Sequence, residues 1–78
     1  MDSLPPLPAE PKPGLYRHYK HLDYRVLGVA RHSETLEPLV VYQALYGERG
    51  LWVRPAAMFV ELVEIEGKRV PRFAYVGA

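Results

Sequence analysis

The stretch Arg31-His32-Ser33-Glu34-Thr35-Leu36-Glu37-Pro38 places an imidazole, two hydroxyls and two carboxylates within a few positions of one another. Three chemistries use such groups. A His-x-Glu pair, here His32 and Glu34, serves zinc deaminases, but that chemistry also needs cysteine ligands and the chain has no cysteine. His18, His32, Glu34 and Glu37 offer a nitrogen and oxygen donor set for a metal, although their spacing matches no known ligand pattern. Ser33 beside His32 holds the groups of a nucleophilic relay. Triads, however, are defined by geometry rather than by adjacency, and no Gly-x-Ser-x-Gly elbow is present. A structural reading competes with all three. The hydroxyls of Ser33 and Thr35 can accept from nearby backbone N–H groups, and Pro38 holds Glu37 extended.

This stretch must be a connection, because strand-like runs flank it. Residues 24–32 and 39–46 are rich in β-branched and aromatic side chains. Gly28 interrupts the first of them where a bulge or sharp bend would fall. Residues 15–20 read as a further strand, with His21-Leu22-Asp23 as a tight turn. Gly47 and Gly50 bracket the clearest turn in the chain, and residues 51–54 make a short strand after it. Pro55 suits the start of a helical turn over 55–59. Residues 60–65 read as a strand and Glu66-Gly67 as a turn, and residues 70–76 complete a terminal hairpin. Five to six short strands in so few residues predict a mostly-β domain, a small, SH3-like, partly open barrel over residues 14–77. Its expected core is Leu15, Val26, Val29, Val41, Leu45, Val53, Phe59 and Leu62.

Residues 1–13 hold prolines at 5, 6, 8, 11 and 13, too many to donate a sheet's hydrogen bonds, and predict a disordered, extended tail. The 78 residues allow one domain. The lack of cysteine excludes disulfides and thiolate sites and fits a reducing compartment, so a cytoplasmic location is expected. No apolar run approaches the ~20 residues of a membrane helix, and no membrane role is expected. The net charge of +1 selects no class of partner. Residues 14–32 are net basic and residues 33–66 net acidic, a pattern that neighbouring strands can satisfy by pairing.

The segments Gly14-Leu15-Tyr16-Arg17-His18-Tyr19-Lys20, Ala30 to Glu37, Val40-Val41-Tyr42, Leu45-Tyr46, Leu51-Trp52-Val53-Arg54-Pro55, Met58-Phe59 and Pro71-Arg72-Phe73 together resemble a family of small bacterial domains of unknown function. The likeness spans roughly residues 14–76. One departure is the turn after Lys20, where the family tends to have glycine and this chain has His21-Leu22-Asp23. The resemblance implies a compact, mostly-β domain and carries no activity with it.

The residues favour a binding module over an enzyme, with no catalytic residues and no cofactor assigned. The expected ligand site combines His18, His32, Ser33, Glu34, Thr35, Glu37, Tyr42, Trp52 and Arg54 in one groove beside the 31–38 loop. Trp52 and Tyr42, partly exposed, would give apolar contact and Arg54 would pair an anionic group. A peptide, protein or small polar ligand is the expected partner. One alternative is single-stranded nucleic acid on Arg17, Lys20, Arg25 and Arg31 with Tyr16 and Tyr19 as stacking platforms. That reading lacks the strongly basic character such proteins show. A second alternative is a small metal-dependent or hydrolytic enzyme using His32 and Glu34.

Overall fold

Seven β-strands and one turn of helix make up the regular structure of the computed structural model, which describes residues 4–78. They are β1 (Gly14–His18), β2 (Asp23–Arg31), β3 (Pro38–Ala44), β4 (Leu51–Pro55), α1 (Ala56–Phe59), β5 (Leu62–Ile65), β6 (Lys68–Pro71) and β7 (Phe73–Gly77). Five form one antiparallel sheet in the order β4-β3-β2-β1-β7, while β5 and β6 pair as a separate hairpin.

The mostly-β class and the helical turn near 55–59 match the sequence reading. The strand count, seven against five to six, differs from it. β4 and β7 are the two edges of the five-stranded sheet and do not pair with each other, so no barrel closes. The extra strand arises because the run expected as the second arm of the terminal hairpin divides at Arg72. Pro71 has no N–H to extend the β5–β6 ladder. The Arg72 N–H donates to the Glu61 carbonyl at 3.0 Å and its carbonyl accepts from the Tyr19 N–H at 2.9 Å, which steers the chain out of the hairpin onto β1.

Strand alternation decides which residues are covered. β3 is apolar on both faces, and its buried residues are Val40, Tyr42 and Ala44, with Val41 half-buried on the other side. Val26 of β2, Phe59 of α1 and Phe73 of β7 join Tyr16, Val40, Tyr42 and Ala56 in one cluster. The bulge expected at Gly28 is present: β2 pairs Val26 with Tyr42 and then Gly28 with Val41, leaving Leu27 as the extra residue. It resets the alternation, so Tyr24 and Val26 before it and Val29 after it all face the core. Of the expected core, Val26 and Phe59 are fully buried. Val53 and Leu62 are exposed, and Leu15, Val41 and Leu45 are only half-buried. Which face of a strand is covered is not revealed by two-sided apolar strands.

α1 is too short to be stable alone. Pro55 stands at its N-cap without a side-chain cap, and the turn persists by burying Ala56 and Phe59. The Phe59 ring stacks on Phe73 at 4.1 Å between centroids and meets Tyr16 and Tyr42 edge-on.

The proline-rich segment expected as a disordered tail has no regular secondary structure over residues 4–13; residues 1–3 of it lie outside the described residues. It touches the sheet at several points. Pro11 is buried, the Tyr16 hydroxyl donates to the Lys12 carbonyl at 2.8 Å, and the Arg31 guanidinium donates to the Pro5 carbonyl at 2.9 Å. Among the described residues no helix is long and apolar enough to cross a membrane.

Candidate functional site

The strand register separates the expected site residues into two groups. β2 starts opposite Arg17, beside His18, and ends at Arg31, beside His32. At about 3.3 Å per residue these ends are roughly 25 Å apart. His18 therefore cannot join His32, Glu34 and Glu37 around one metal ion. Among the described residues no cluster of three His, Asp or Glu side chains is placed to hold a metal. His18 and the 31–38 loop, expected in one groove, lie at opposite ends of the sheet.

At one end, the 31–38 loop is organised by its own hydrogen bonds. The His32 N–H donates to the Glu37 carbonyl at 2.8 Å, and the Leu36 N–H to the His32 carbonyl at 2.9 Å. The imidazole Nδ1 of His32 accepts from the backbone N–H groups of Glu34 at 3.1 Å and Thr35 at 3.3 Å. The Thr35 hydroxyl accepts from the Glu37 N–H at 3.2 Å. Leu36 turns through a positive φ of 64° to close the loop. The imidazole is thus a cap on two loop amides, and its Nδ1 lone pair is already engaged. The structural reading of Thr35 holds, and it extends to His32, whose role as a cap has no sequence signature beyond its place before a tight turn.

From the middle of the sheet to its other end, β1, β2, β3, β4 and β7 bring aromatic and cationic side chains along one rim, Trp52 and Arg54 at mid-strand and toward the loop, and Tyr24 and His18 at the far end. Tyr24 meets His18, Tyr42, Tyr46 and Phe73 edge-on, with centroids 5.4–6.4 Å apart. Its hydroxyl is hydrogen-bonded to that of Tyr46. Tyr42 is not partly exposed as expected from the sequence but 6% exposed. The reason is its position on the covered face of a central strand, where only the hydroxyl reaches the rim and accepts from Arg54 Nε in a long 3.5 Å hydrogen bond. The Arg54 guanidinium lies over the Phe73 ring, 5.8 Å from its centroid. The ion pairs among the described residues are Arg17–Asp23 and Arg72–Glu61, and neither engages Arg54. Trp52 precedes Arg54 on the same face of the edge strand and is 59% exposed, as its sequence context predicts. Alternation places these two side chains about 7 Å apart along the rim.

The electrostatics agree with a net positive rim. Burial, and then the positive charges of Arg72, Lys20 and Arg54, hold the His18 imidazole below the ordinary histidine range. Its Nδ1 accepts from the Lys20 N–H at 3.1 Å, which leaves Nε2 as the protonated nitrogen of the neutral ring. Burial and the Tyr46 hydroxyl push the Tyr24 phenol up to about 12, with Arg54 acting in the opposite direction.

A testable consequence concerns His18. The unfolded imidazole titrates near 6.5 and the folded one below it, so on acidification the unfolded chain takes up the proton first. The stability this neutral ring contributes is fully present above that value and is lost as pH falls from there to the folded pKa. Urea unfolding midpoints measured at about pH 7.5 and pH 5.5 should drop on acidification, and His18→Gln should remove part of that drop. An unchanged drop in the variant would refute the assignment.

The residues proposed as stacking platforms for a nucleic acid do not share a surface: Tyr16 is buried in the core while Tyr19 lies beyond β1 at the rim. Sequence reasoning missed Tyr24 and Arg72 as neighbours of His18. Alternation alone gave Tyr24 no distinction from the other tyrosines, and only the turn-out of the chain at Arg72 brings that residue near His18.

An open antiparallel sheet with one helical turn packed against it and an arginine-bearing aromatic rim defines a small, mostly-β domain. A family model described as a protein of unknown function (DUF1653) matches residues 14–75, and the chain belongs to that family. The chain is similar to the crystal structure of a DUF1653 protein from Bordetella bronchiseptica. The two are 44% identical, with 87% of this chain and 90% of that one covered and a TM-score of 0.80. No curated protein matches it.

Proposed function

We propose that this domain is a non-enzymatic binding module whose rim takes a peptide or small polar ligand through a carboxylate. The observation that supports it is Arg54: a half-buried residue whose guanidinium donates to the Tyr42 hydroxyl, two residues along the strand from the exposed Trp52, with no carboxylate of this chain paired to it among the described residues. A planar guanidinium with free donors matches a carboxylate in a two-point fork. Trp52 would cover an apolar neighbour of that carboxylate, and the Nε2–H of His18 adds a neutral donor. In this reading the sheet acts as one half of an SH3-like module, which grips extended ligands at an aromatic rim rather than at its centre. The 31–38 loop then serves to hold the far end of β2 and β3 in register, and Ser33, Glu34 and Glu37 lie outside the contact.

The test compares an acetylated dipeptide ending in a free carboxylate after phenylalanine with its C-terminal amide. Trp52 fluorescence should respond to the acid and not to the amide. Arg54→Ala should weaken binding by about 10- to 100-fold, the worth of a charge-assisted hydrogen bond of ~1.5–3 kcal/mol. Trp52→Ala should also weaken binding while leaving the unfolding midpoint nearly unchanged, because so exposed a side chain contributes little to the core. Equal response to acid and amide, no response to either, or undiminished binding by Arg54→Ala would each overturn the proposal.

A further inference from the structure

The other end of the sheet holds a cavity that this rim does not use. The proline-rich segment crosses the domain there as a strap and leaves a cleft of about 530 Å³ beneath it. Pro6, Leu7 and Pro8 form one wall; Pro38, Pro55 and Ala57 stand on the other. The strap is fixed on both sides of the cleft. Arg31 donates to the Pro5 carbonyl at 2.9 Å, and beyond the cleft Pro11 is buried, Tyr16 holds the Lys12 carbonyl at 2.8 Å and the Lys12 ammonium sits 4.1 Å from the centre of the Tyr75 ring. Proline suits this task because it has no N–H to leave unsatisfied against an apolar wall and loses little backbone freedom when ordered.

The charged residues that line the cleft are of one sign. Glu10 comes from the strap and Glu37 from the loop before β3, and neither is in an ion pair among the described residues. The volume lies within the ~300–1,000 Å³ that small-ligand sites occupy. An apolar interior with an acidic residue on each wall complements a short apolar body that carries a positive charge.

We propose that the strap and α1 together form a binding site for a small apolar ammonium ligand, its hydrocarbon part between Leu7 and Ala57 and its charge toward Glu10 and Glu37. The strap is then a working wall of the site, and binding depends on it. This site opens beside Pro55, the residue after Arg54, and differs from the carboxylate-binding rim in sign of charge.

The experiment titrates the full chain with n-hexylammonium, n-hexanoate and hexan-1-ol and follows the methyl NMR signals of Leu7, Ala57 and Val60. With hexylammonium all three should shift together and saturate. Hexanoate should need several-fold higher concentrations, because it places a negative charge beside two others. Glu37→Gln should weaken hexylammonium binding about threefold, the scale of one partly exposed ion pair. Deletion of residues 1–9 should abolish it. Leu7→Ser provides the same test in a chain of full length if the deletion fails to fold. Equal binding of hexanoate and hexylammonium, shifts that spare Leu7, unchanged affinity in the Leu7 variant, or no saturable shift with hexylammonium would overturn the proposal.

Discussion

Replacing Phe59 with alanine is expected to lower the unfolding free energy by about 3–5 kcal/mol, the range found when a buried phenylalanine is truncated without full collapse of the cavity. Phe59 is 1% exposed and lies at the centre of the aromatic core, parallel to Phe73 and edge-on to Tyr16 and Tyr42. It also holds α1 down. That helix has four residues and no side-chain cap, so loss of its anchor removes the reason for the turn to form. A domain of this size has a total stability of roughly 4–12 kcal/mol, and so the variant should be marginal at room temperature. Urea unfolding followed by Trp52 fluorescence measures the change. Phe59→Leu, which keeps much of the volume, should recover more than half of the loss. A loss below about 1 kcal/mol in Phe59→Ala would show that the helical turn is not anchored through this ring.

A second large loss is expected at Gly14, from the opposite cause. Its φ is +144°, a region that L side chains rarely adopt. A Cβ built there would stand 2.7 Å from the Gly77 carbonyl oxygen and 2.9 Å from the Tyr75 ring. The first of these contacts is backbone and cannot swing aside. Gly14→Ala must therefore either strain φ or push β1 and β7 apart, for a cost of about 2–4 kcal/mol. Alanine also narrows the unfolded ensemble, which offsets less than 1 kcal/mol of it. Gly47→Ala is the useful comparison. Its φ of +59° is also positive, but nothing lies within 4 Å of a Cβ at that turn, so its loss should be the smaller. Amide exchange separates the two mechanisms, since only Gly14→Ala should deprotect β7. Equal losses at both glycines would mean that backbone strain alone, and not the close strand approach, sets the cost.

Much of this architecture is legible from residue types. Val26 and Phe59 could be assigned to the core because each sits in an apolar run bounded by turn residues. Gly28 marked the bulge, and Pro55 marked the start of the helical turn. What could not be read was phase. β3 carries Leu39, Val40, Val41 and Tyr42 in succession, so either face could be the covered one, and the choice falls to the position of α1 far along the chain. The bulge at Leu27 then inverts the alternation of β2 halfway, which sends Val29 inward and Ala30 outward. The same ignorance of position misled the site. His18 and His32 are similar in type and lie on neighbouring strands, but only the register shows that they belong to opposite ends of the sheet. Trp52 and Arg54 were legible as a pair since two residues apart on a strand means one face, whatever the fold. Arg72 beside His18 was not, since it gets there only where the chain leaves the β5–β6 hairpin for β1.

The order β4-β3-β2-β1-β7 also bears on how quickly the molecule finds its structure. Four of the five strands are sequence neighbours joined by short turns, so their pairing closes only small loops and can proceed in microseconds to milliseconds. The contact of β1 with β7 spans nearly the whole chain and must be made against a much larger loss of chain entropy. It also supplies Phe73, which the core lacks until then. The β1–β4 meander would thus form early with half its aromatic cluster open to water, and docking of the C-terminal strand would be the slow step. Substitutions along β7 that weaken this docking would then slow folding as well as speed unfolding.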